Sequence, residues 1–210
     1  MLRVLSFILL LLMPVTAMAQ APGKIAFVRG GNLWLWENGR ERQVTRTGDV
    51  ANPQISPSGR YVAFEQGGRL LVTPAAGGDL WAVEPSGFAR WAPAEDTLAV
   101  DIAAGVATVP VADQGPESPR LIAMGWHSPA WAPDGSALAV ARGEPGNTMA
   151  RGRVTLAVVA RTGGQPRTVV TEQYDERSPA VGASPLAWSA DGRWLAYGRY
   201  GRTASLSADY

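Results

Sequence analysis

The feature that most constrains what this chain can fold into is a unit that recurs along it. Ser128-Pro129-Ala130-Trp131-Ala132-Pro133-Asp134-Gly135-Ser136-Ala137-Leu138-Ala139-Val140 carries it in full. Trp188-Ser189-Ala190-Asp191-Gly192-Arg193-Trp194-Leu195-Ala196-Tyr197 is a second copy, and Ile55-Ser56-Pro57-Ser58-Gly59-Arg60-Tyr61-Val62-Ala63-Phe64 is a third. Trp91-Ala92-Pro93-Ala94-Glu95-Asp96-Thr97-Leu98-Ala99-Val100 is a fourth, worn at the glycine. With Ile55, Trp91, Trp131 and Trp188 as anchors, the copies lie 36, 40 and 57 residues apart. Ile25-Ala26-Phe27 repeats the second half of the unit 37 residues before Val62-Ala63-Phe64. Self-similarity near this period marks an array of equivalent substructures, each needing a neighbour to bury its apolar face.

The unit itself predicts a hairpin. A short apolar strand runs into Pro-Asp-Gly or Pro-Ser-Gly and is followed by an alternating strand. Pro57, Pro93 and Pro133 preset φ for a turn, Asp134 and Asp191 can bond the backbone beyond them, and Gly59, Gly135 and Gly192 take the positive φ. The strand after the turn reads Val-Ala-Phe, Leu-Ala-Val or Leu-Ala-Tyr. Its fixed alanine predicts a face where two sheets approach closely, with the large residues facing the other way. Repeats of about 40 residues, each supplying four short antiparallel strands, are the requirement of a β-propeller blade. The chain is thus expected to be all-β, a propeller of four-stranded antiparallel blades.

Pro-x-Trp-Ser/Ala-Pro-Asp-Gly-x-x-Leu-Ala-Val/Tyr resembles the WD40-like (PD40-type) repeat of TolB-type propellers. It also resembles the propellers that precede the hydrolase of prolyl oligopeptidase relatives. The resemblance runs from residue 24 to about residue 206. It implies a fold far more specifically than a function.

Residues 1–19 stand apart. Arg3 gives a positive start, Val4 to Met13 is apolar apart from Ser6, and Ala17-Met18-Ala19 has the form of a cleavage site. This is the pattern of a secretory signal peptide, and the apolar run is shorter than the roughly 20 residues a membrane span needs. The chain has no cysteine, which excludes a lipoprotein anchor and disulfides alike. A periplasmic or secreted protein is expected, with no membrane span after cleavage. Without Arg3 there remain 18 basic and 18 acidic residues and no block of one sign, so nucleic acid has no electrostatic footprint to use.

Blades are expected at residues 24–46 (partial), 53–84, 89–124, 129–171 and 186–210 (partial). The first lacks the strand that carries the anchor. The ends therefore supply overlapping strands rather than complementary ones, and the sequence is read as the N-terminal part of a longer ring.

Trp91, Trp131 and Trp188 are expected to pack between adjacent sheets, where each would bury about 150–250 Å². Trp34, Trp36, Trp81 and Trp194 lie in or beside strands and are expected to do the same. Trp126 precedes a blade and is assigned no place. No catalytic residues, cofactor site or metal site are predicted. His127 is the one histidine in the chain and falls in the connection entering the fourth blade. Alone it supports neither a zinc site of usual spacing nor a Ser-His-Asp arrangement. Gly-Gly pairs at 30–31, 67–68, 77–78 and 163–164 sit between short strands and read as turns, not phosphate loops.

The repeat is broken in two places, the residue stretches 142–153 and 172–185. In a four-stranded antiparallel blade the second-to-third hairpin and the exit connection emerge at one end, and the Asp-Gly turns at the other. Both long segments are thus expected on one face. Arg142, Glu144, Arg151 and Arg153 beside Tyr174, Asp175, Glu176 and Arg177 would form a mixed-charge rim suited to a protein or peptide partner. What the resemblance implies is an exported, non-catalytic scaffold for protein–protein interaction in the cell envelope, TolB-like. The alternative is the substrate-gating propeller of a peptidase or other hydrolase whose catalytic domain lies beyond residue 210.

Overall fold

The computed structural model describes residues 23–83, 89–144, 152–174 and 181–201. No helix occurs among them, and every strand pair is antiparallel. The first sheet consists of β1 (Ile25–Arg29), β2 (Asn32–Glu37) and β3 (Arg40–Gln43), in that order. The second runs β4 (Val50–Ile55), β5 (Tyr61–Gln66), β6 (Arg69–Pro74) and β7 (Trp81–Val83). The third has β8 (Ala89–Trp91), β9 (Thr97–Ile102) and β10 (Gly105–Ala112). Its outer place is shared by β11 (Gly115–Pro116) and β12 (Arg120–Met124), both paired with β10. The fourth is β13 (His127–Trp131), β14 (Ala137–Glu144), β15 (Gly152–Ala160) and β16 (Arg167–Tyr174), and the fifth pairs β17 (Val181–Trp188) with β18 (Leu195–Gly201).

The turn chemistry explains the register. In the turns that follow the anchors, Gly59, Gly135 and Gly192 have φ of 70°, 69° and 70°, a region a side chain enters at a cost. Around Gly135 the turn closes through Ala132 N–H to Ala137 O and Gly135 N–H to Ala132 O, both 2.9 Å. The same two bonds recur at Ser56 and Gly59, and at Ser189 and Gly192. The worn copy keeps the first bond, Ala92 N–H to Thr97 O at 2.8 Å. It replaces the second with Thr97 N–H to Glu95 O at 2.7 Å. At the other end of the sheets Gly30-Gly31 has φ of 56° and 72°, the doubly left-handed geometry of a tight hairpin.

Alternation along the strand after each turn then builds the core. Val62 and Phe64, Leu98 and Val100, and Leu138 and Val140 are all fully buried and face the preceding sheet. The alanine between each pair (Ala63, Ala99, Ala139) faces the following sheet and is equally buried. At each interface the large residues of one second strand thus lie against the alanine of the second strand before it, with larger side chains from the neighbouring strands filling the rest. Four apolar clusters result, one for each junction between consecutive sheets. The architecture is an all-β propeller array.

The anchors do more than pack. Trp91 Nε1 donates to the Gln54 carbonyl, Trp131 Nε1 to that of Arg90, and Trp188 Nε1 to that of Ala130, each at 3.1 Å. The acceptor is always the residue one before the anchor of the preceding sheet. A buried indole N–H needs a partner, and here the second, third and fourth sheets each supply it to the next.

Trp194 corrects the reading of the tryptophans. It is 70% exposed, because it stands on the face of the fifth sheet turned away from the fourth. Trp126, by contrast, is buried in the junction between the third and fourth sheets.

Candidate functional site

The two ends of the sheets differ in chemistry. At the Pro-Asp-Gly end the polar groups are paired within turns and between neighbouring sheets. Asp134 accepts from Ser136 N–H (3.0 Å) and Oγ (2.8 Å), and Asp191 accepts from Ser189 Oγ (2.5 Å) and Arg193 N–H (3.1 Å). These bonds hold both carboxyls below the usual carboxylate range. Between sheets, Arg161 grips Glu95 with both Nη atoms at 2.8 and 2.5 Å. Asp113 receives Arg60 and the Tyr61 hydroxyl, the latter at 2.9 Å.

The opposite end is built on a recurring irregularity. A proline stands just ahead of three anchors, Pro53 before Ile55, Pro129 before Trp131 and Pro185 before Trp188. The register slips there: between Ala51 and Gln54, between His127 and Ala130, and between Ala183 and Leu186. In the first two cases the residue before the proline is left-handed, Asn52 at φ 50° and Ser128 at φ 55°. Such a bulge re-aims backbone groups at the sheet end, and the conformation is costly for serine.

What holds Ser128 there comes from the sheet before it. Both carboxylate oxygens of Asp101, near the end of β9, accept the Ser128 N–H, at 2.9 and 3.1 Å. Burial pushes the Asp101 carboxyl up to about 6, against the downward pull of that N–H. His127 is half-buried alongside, its Nδ1 3.1 Å from Ser128 Oγ, and burial holds its imidazole below the ordinary value. His127 is thus the first residue of a strand rather than part of a connection. Glu65 occupies the same repeat position in the second sheet as Asp101 does in the third. It accepts Asn52 Nδ2 at 3.0 Å and offsets in part the burial that lowers the Arg90 guanidinium.

Arg142, one strand in from His127, connects this core to the rim. Its guanidinium lies 4.8 Å from the Trp126 ring centroid and one nitrogen reaches Glu144 at 2.9 Å. Arg153, opposite Glu144 in the ladder, approaches the same carboxylate at 3.6 Å. Two cations thus share one anion, and among the described residues the buried Arg142 Nε has no hydrogen-bond partner. Tyr174 is placed by its backbone, opposite Gly152, so β14, β15 and β16 bring the flanks of both long segments to one end. Arg151, Asp175, Glu176 and Arg177 lie outside the described residues.

Sequence reasoning missed Asp101, Ser128 and Arg90. The available signal was the repeated x-Pro two or three residues ahead of the anchor, with Glu65 and Asp101 at one repeat position. Aspartate, serine and histidine meet here, yet not as a hydrolytic triad: Asp101 binds a backbone N–H instead of orienting the imidazole, and Ser128 is buried. Among the described residues no group of three or more potential ligands could hold a metal, and no helix is long and apolar enough to cross a membrane. The arrangement can do what a polar, partly unsatisfied rim over an apolar core does, which is to bind.

Consecutive antiparallel sheets of up to four strands, with an outer place shared by two short strands in the third, stacked face to face on a shared repeat, define a β-propeller-type protein. Solved structures similar to the chain include a eukaryotic initiation factor (16% identity, TM-score 0.52, 88% of this chain and 51% of that one). Another is the hydrazine synthase of Kuenenia stuttgartiensis (16% identity, TM-score 0.54, 80% and 55%). A candidate TolB from Agrobacterium tumefaciens aligns at 19% identity and TM-score 0.48, over 80% of this chain and 60% of that one. At such identities the likeness is one of fold, and the chain spans between half and three fifths of the length of these structures. No family model matches the sequence, and no curated protein matches it.

Proposed function

We propose that this chain is an exported, non-catalytic propeller scaffold of the cell envelope, with TolB-like (PD40-type) repeats, that binds a protein or peptide at the end opposite the Pro-Asp-Gly turns. The observation that carries this is Arg142. It is stacked on buried Trp126, shares Glu144 with Arg153, and keeps one buried donor without an acceptor among the described residues. A buried, unmatched N–H of an arginine is unfavourable, and a carboxylate or carbonyl supplied by a partner relieves it. Arginine on an aromatic is also the side-chain combination that anchors interfaces. Export rests on the leader-like residues 1–19. A periplasmic or secreted location rests on that leader together with the lack of any cysteine to carry a lipid.

A photo-crosslinking amino acid placed at Arg153 in cells should capture a discrete partner. The same probe at Arg193, on the turn end, should capture none. Arg142→Ala should abolish the Arg153 adduct while leaving the melting temperature within a few degrees. Equal adducts from both positions, or adducts indifferent to Arg142, would place the binding surface elsewhere. Accumulation of the chain with its leader attached in the cytoplasm would remove export from the reading.

A further inference from the structure

At the outer rim of the turn end, the slot between consecutive sheets is built twice from the same repeat positions with opposite chemistry. Between the second and third sheets it is filled. Ala63, Val72 and Trp81 stand side by side across β5, β6 and β7. The Trp81 ring lies beside Tyr61, with centroids 6.4 Å apart. It also lies against the backbone of Gly115 in the third sheet, where an added methyl would stand 3.3 Å from the indole. The Tyr61 hydroxyl donates to Asp113 at 2.9 Å and closes the mouth.

Between the first and second sheets the same positions are cationic. Ala26, Leu35 and Arg42 stand side by side across β1, β2 and β3, so Arg42 holds the place of Trp81. Lys24, 37 residues before Tyr61, holds the place of the tyrosine. Asn38 and Gly39, at φ of 53° and 76°, form a two-residue hairpin turn that sets Arg40 opposite Glu37. Leu35 packs toward the second sheet, and Arg42 opposite it and Arg40 two residues away share that face. With cations in place of the two rings, a cleft of about 600 Å³ remains, floored by Leu35 and Ala75 and walled by Lys24, Glu37, Arg40 and Arg42.

The walls are braced while donors stay open. Arg42 donates from one Nη to the Ala75 carbonyl of the second sheet. Lys24 Nζ donates to the Gly59 carbonyl at 3.0 Å and lies 3.3 Å from Glu37. Each keeps further N–H groups beyond these bonds. Arg40 is exposed and, among the described residues, meets no carboxylate or carbonyl. Glu41 borders the cleft as well, but Arg29 holds both its oxygens, at 2.7 and 2.9 Å. Lys24, Arg40 and Arg42 therefore face Glu37 alone, an excess of two positive charges around a concave space of small-molecule size.

We infer that this cleft binds a phosphate group, free or as the monoester of a small organic molecule. A phosphate monoester carries about −1.5 to −2 charges at pH 7 and three acceptor oxygens. That matches the excess charge and the donors of Lys24, Arg40 and Arg42, whereas a single carboxylate leaves one charge over. The arginine forks suit such oxyanions. The apolar floor leaves room for an organic group beside the phosphate. The cleft is at the end of the sheets away from the partner-binding rim, and so stands independently of it.

Calorimetric titration of the chain with phenyl phosphate and with inorganic phosphate, at constant ionic strength, tests this. Saturable binding of one phosphate group per chain is expected. Tighter binding of phenyl phosphate assigns the cleft to an ester, and equal or weaker binding assigns it to the free ion. Arg40→Ala removes an exposed side chain, so melting should be unchanged while binding weakens about tenfold or more. Arg42→Trp rebuilds the filled slot of the next junction and should abolish binding; if that variant melts early, Arg40→Ala carries the test alone. No saturation below about 10 mM would overturn the inference. So would binding that Arg40→Ala leaves unchanged, which would mark an adventitious ion only.

Discussion

The Pro-Asp-Gly end and the opposite end are made by the same strands, yet they treat polar groups in opposite ways. At the turn end the carboxylates beside the anchors are met locally. Asp134 and Asp191 bond their own turns, Glu95 holds Arg161 from the next sheet, and these three carboxyls lie below their usual range. At the other end Asp101 is raised to about 6, His127 is lowered, Ser128 is left-handed, and Arg142 keeps an unmatched donor. One end is satisfied and stabilises the fold. The other holds desolvated charge and backbone strain in place against their own preference.

Substitutions rank the two ends against the core they share. Trp131→Ala should have the largest effect, about 3–5 kcal/mol by denaturant melts, since it removes a buried ring and leaves the junction between the third and fourth sheets open. A loss below about 1 kcal/mol would mean the indole is replaceable and the sheets pack independently.

Asp101 comes next, and its effect has a sign. Its folded pKa is above the unfolded one, so the folded state binds more protons between about pH 4 and 6. Asp101 therefore makes stability fall as pH rises through that window, by a quantity on the order of 1–3 kcal/mol. His127 acts the other way below its ordinary value, where the unfolded chain takes the proton more readily. Asp101→Asn should remove the falling limb and leave the rising one. The turn-end carboxylates have depressed folded values, so their contribution is lost only as the pH drops below the usual carboxylate range. If Asp101→Asn leaves the pH profile of melting unchanged, the contrast between the ends fails.

Gly135→Ala should cost about 1–2 kcal/mol on the same melts, because a side chain in the left-handed region is strained. The φ there is 69°, and space is not the obstacle: the added methyl would stand an ordinary 3.6 Å from Pro93 Cδ. The smallest effect belongs to Arg161→Ala. Its pair with Glu95 is well formed but solvent-facing, and the loss should stay within about 0.5 kcal/mol and shrink with added salt.

The turn end was legible because its rules are local. Pro, Asp or Ser, and Gly at fixed offsets leave one conformation, and the alternating strand after them names its own buried face. The anchors were legible as packing residues, although their indole bonds to the preceding sheet were not, since no sequence pattern marks a backbone acceptor. The opposite end was half legible. Arg142, Glu144 and Arg153 were singled out by where the repeat breaks, and they meet. Asp101 and Ser128 were missed because their contact joins residues 27 apart across two sheets and runs from a side chain to a backbone N–H. Trp194 was misjudged for a related reason: composition gives its preference for burial, while its surroundings depend on what lies beyond the fifth sheet.

The indole bonds have one more consequence. Trp91, Trp131 and Trp188 each reach back to a carbonyl synthesised roughly one repeat earlier, not forward to one still to come. During translation the acceptor is therefore in place before its donor leaves the ribosome. Every new sheet can settle on a finished surface as it emerges, and the growing chain need never hold an unfinished junction open for a later segment.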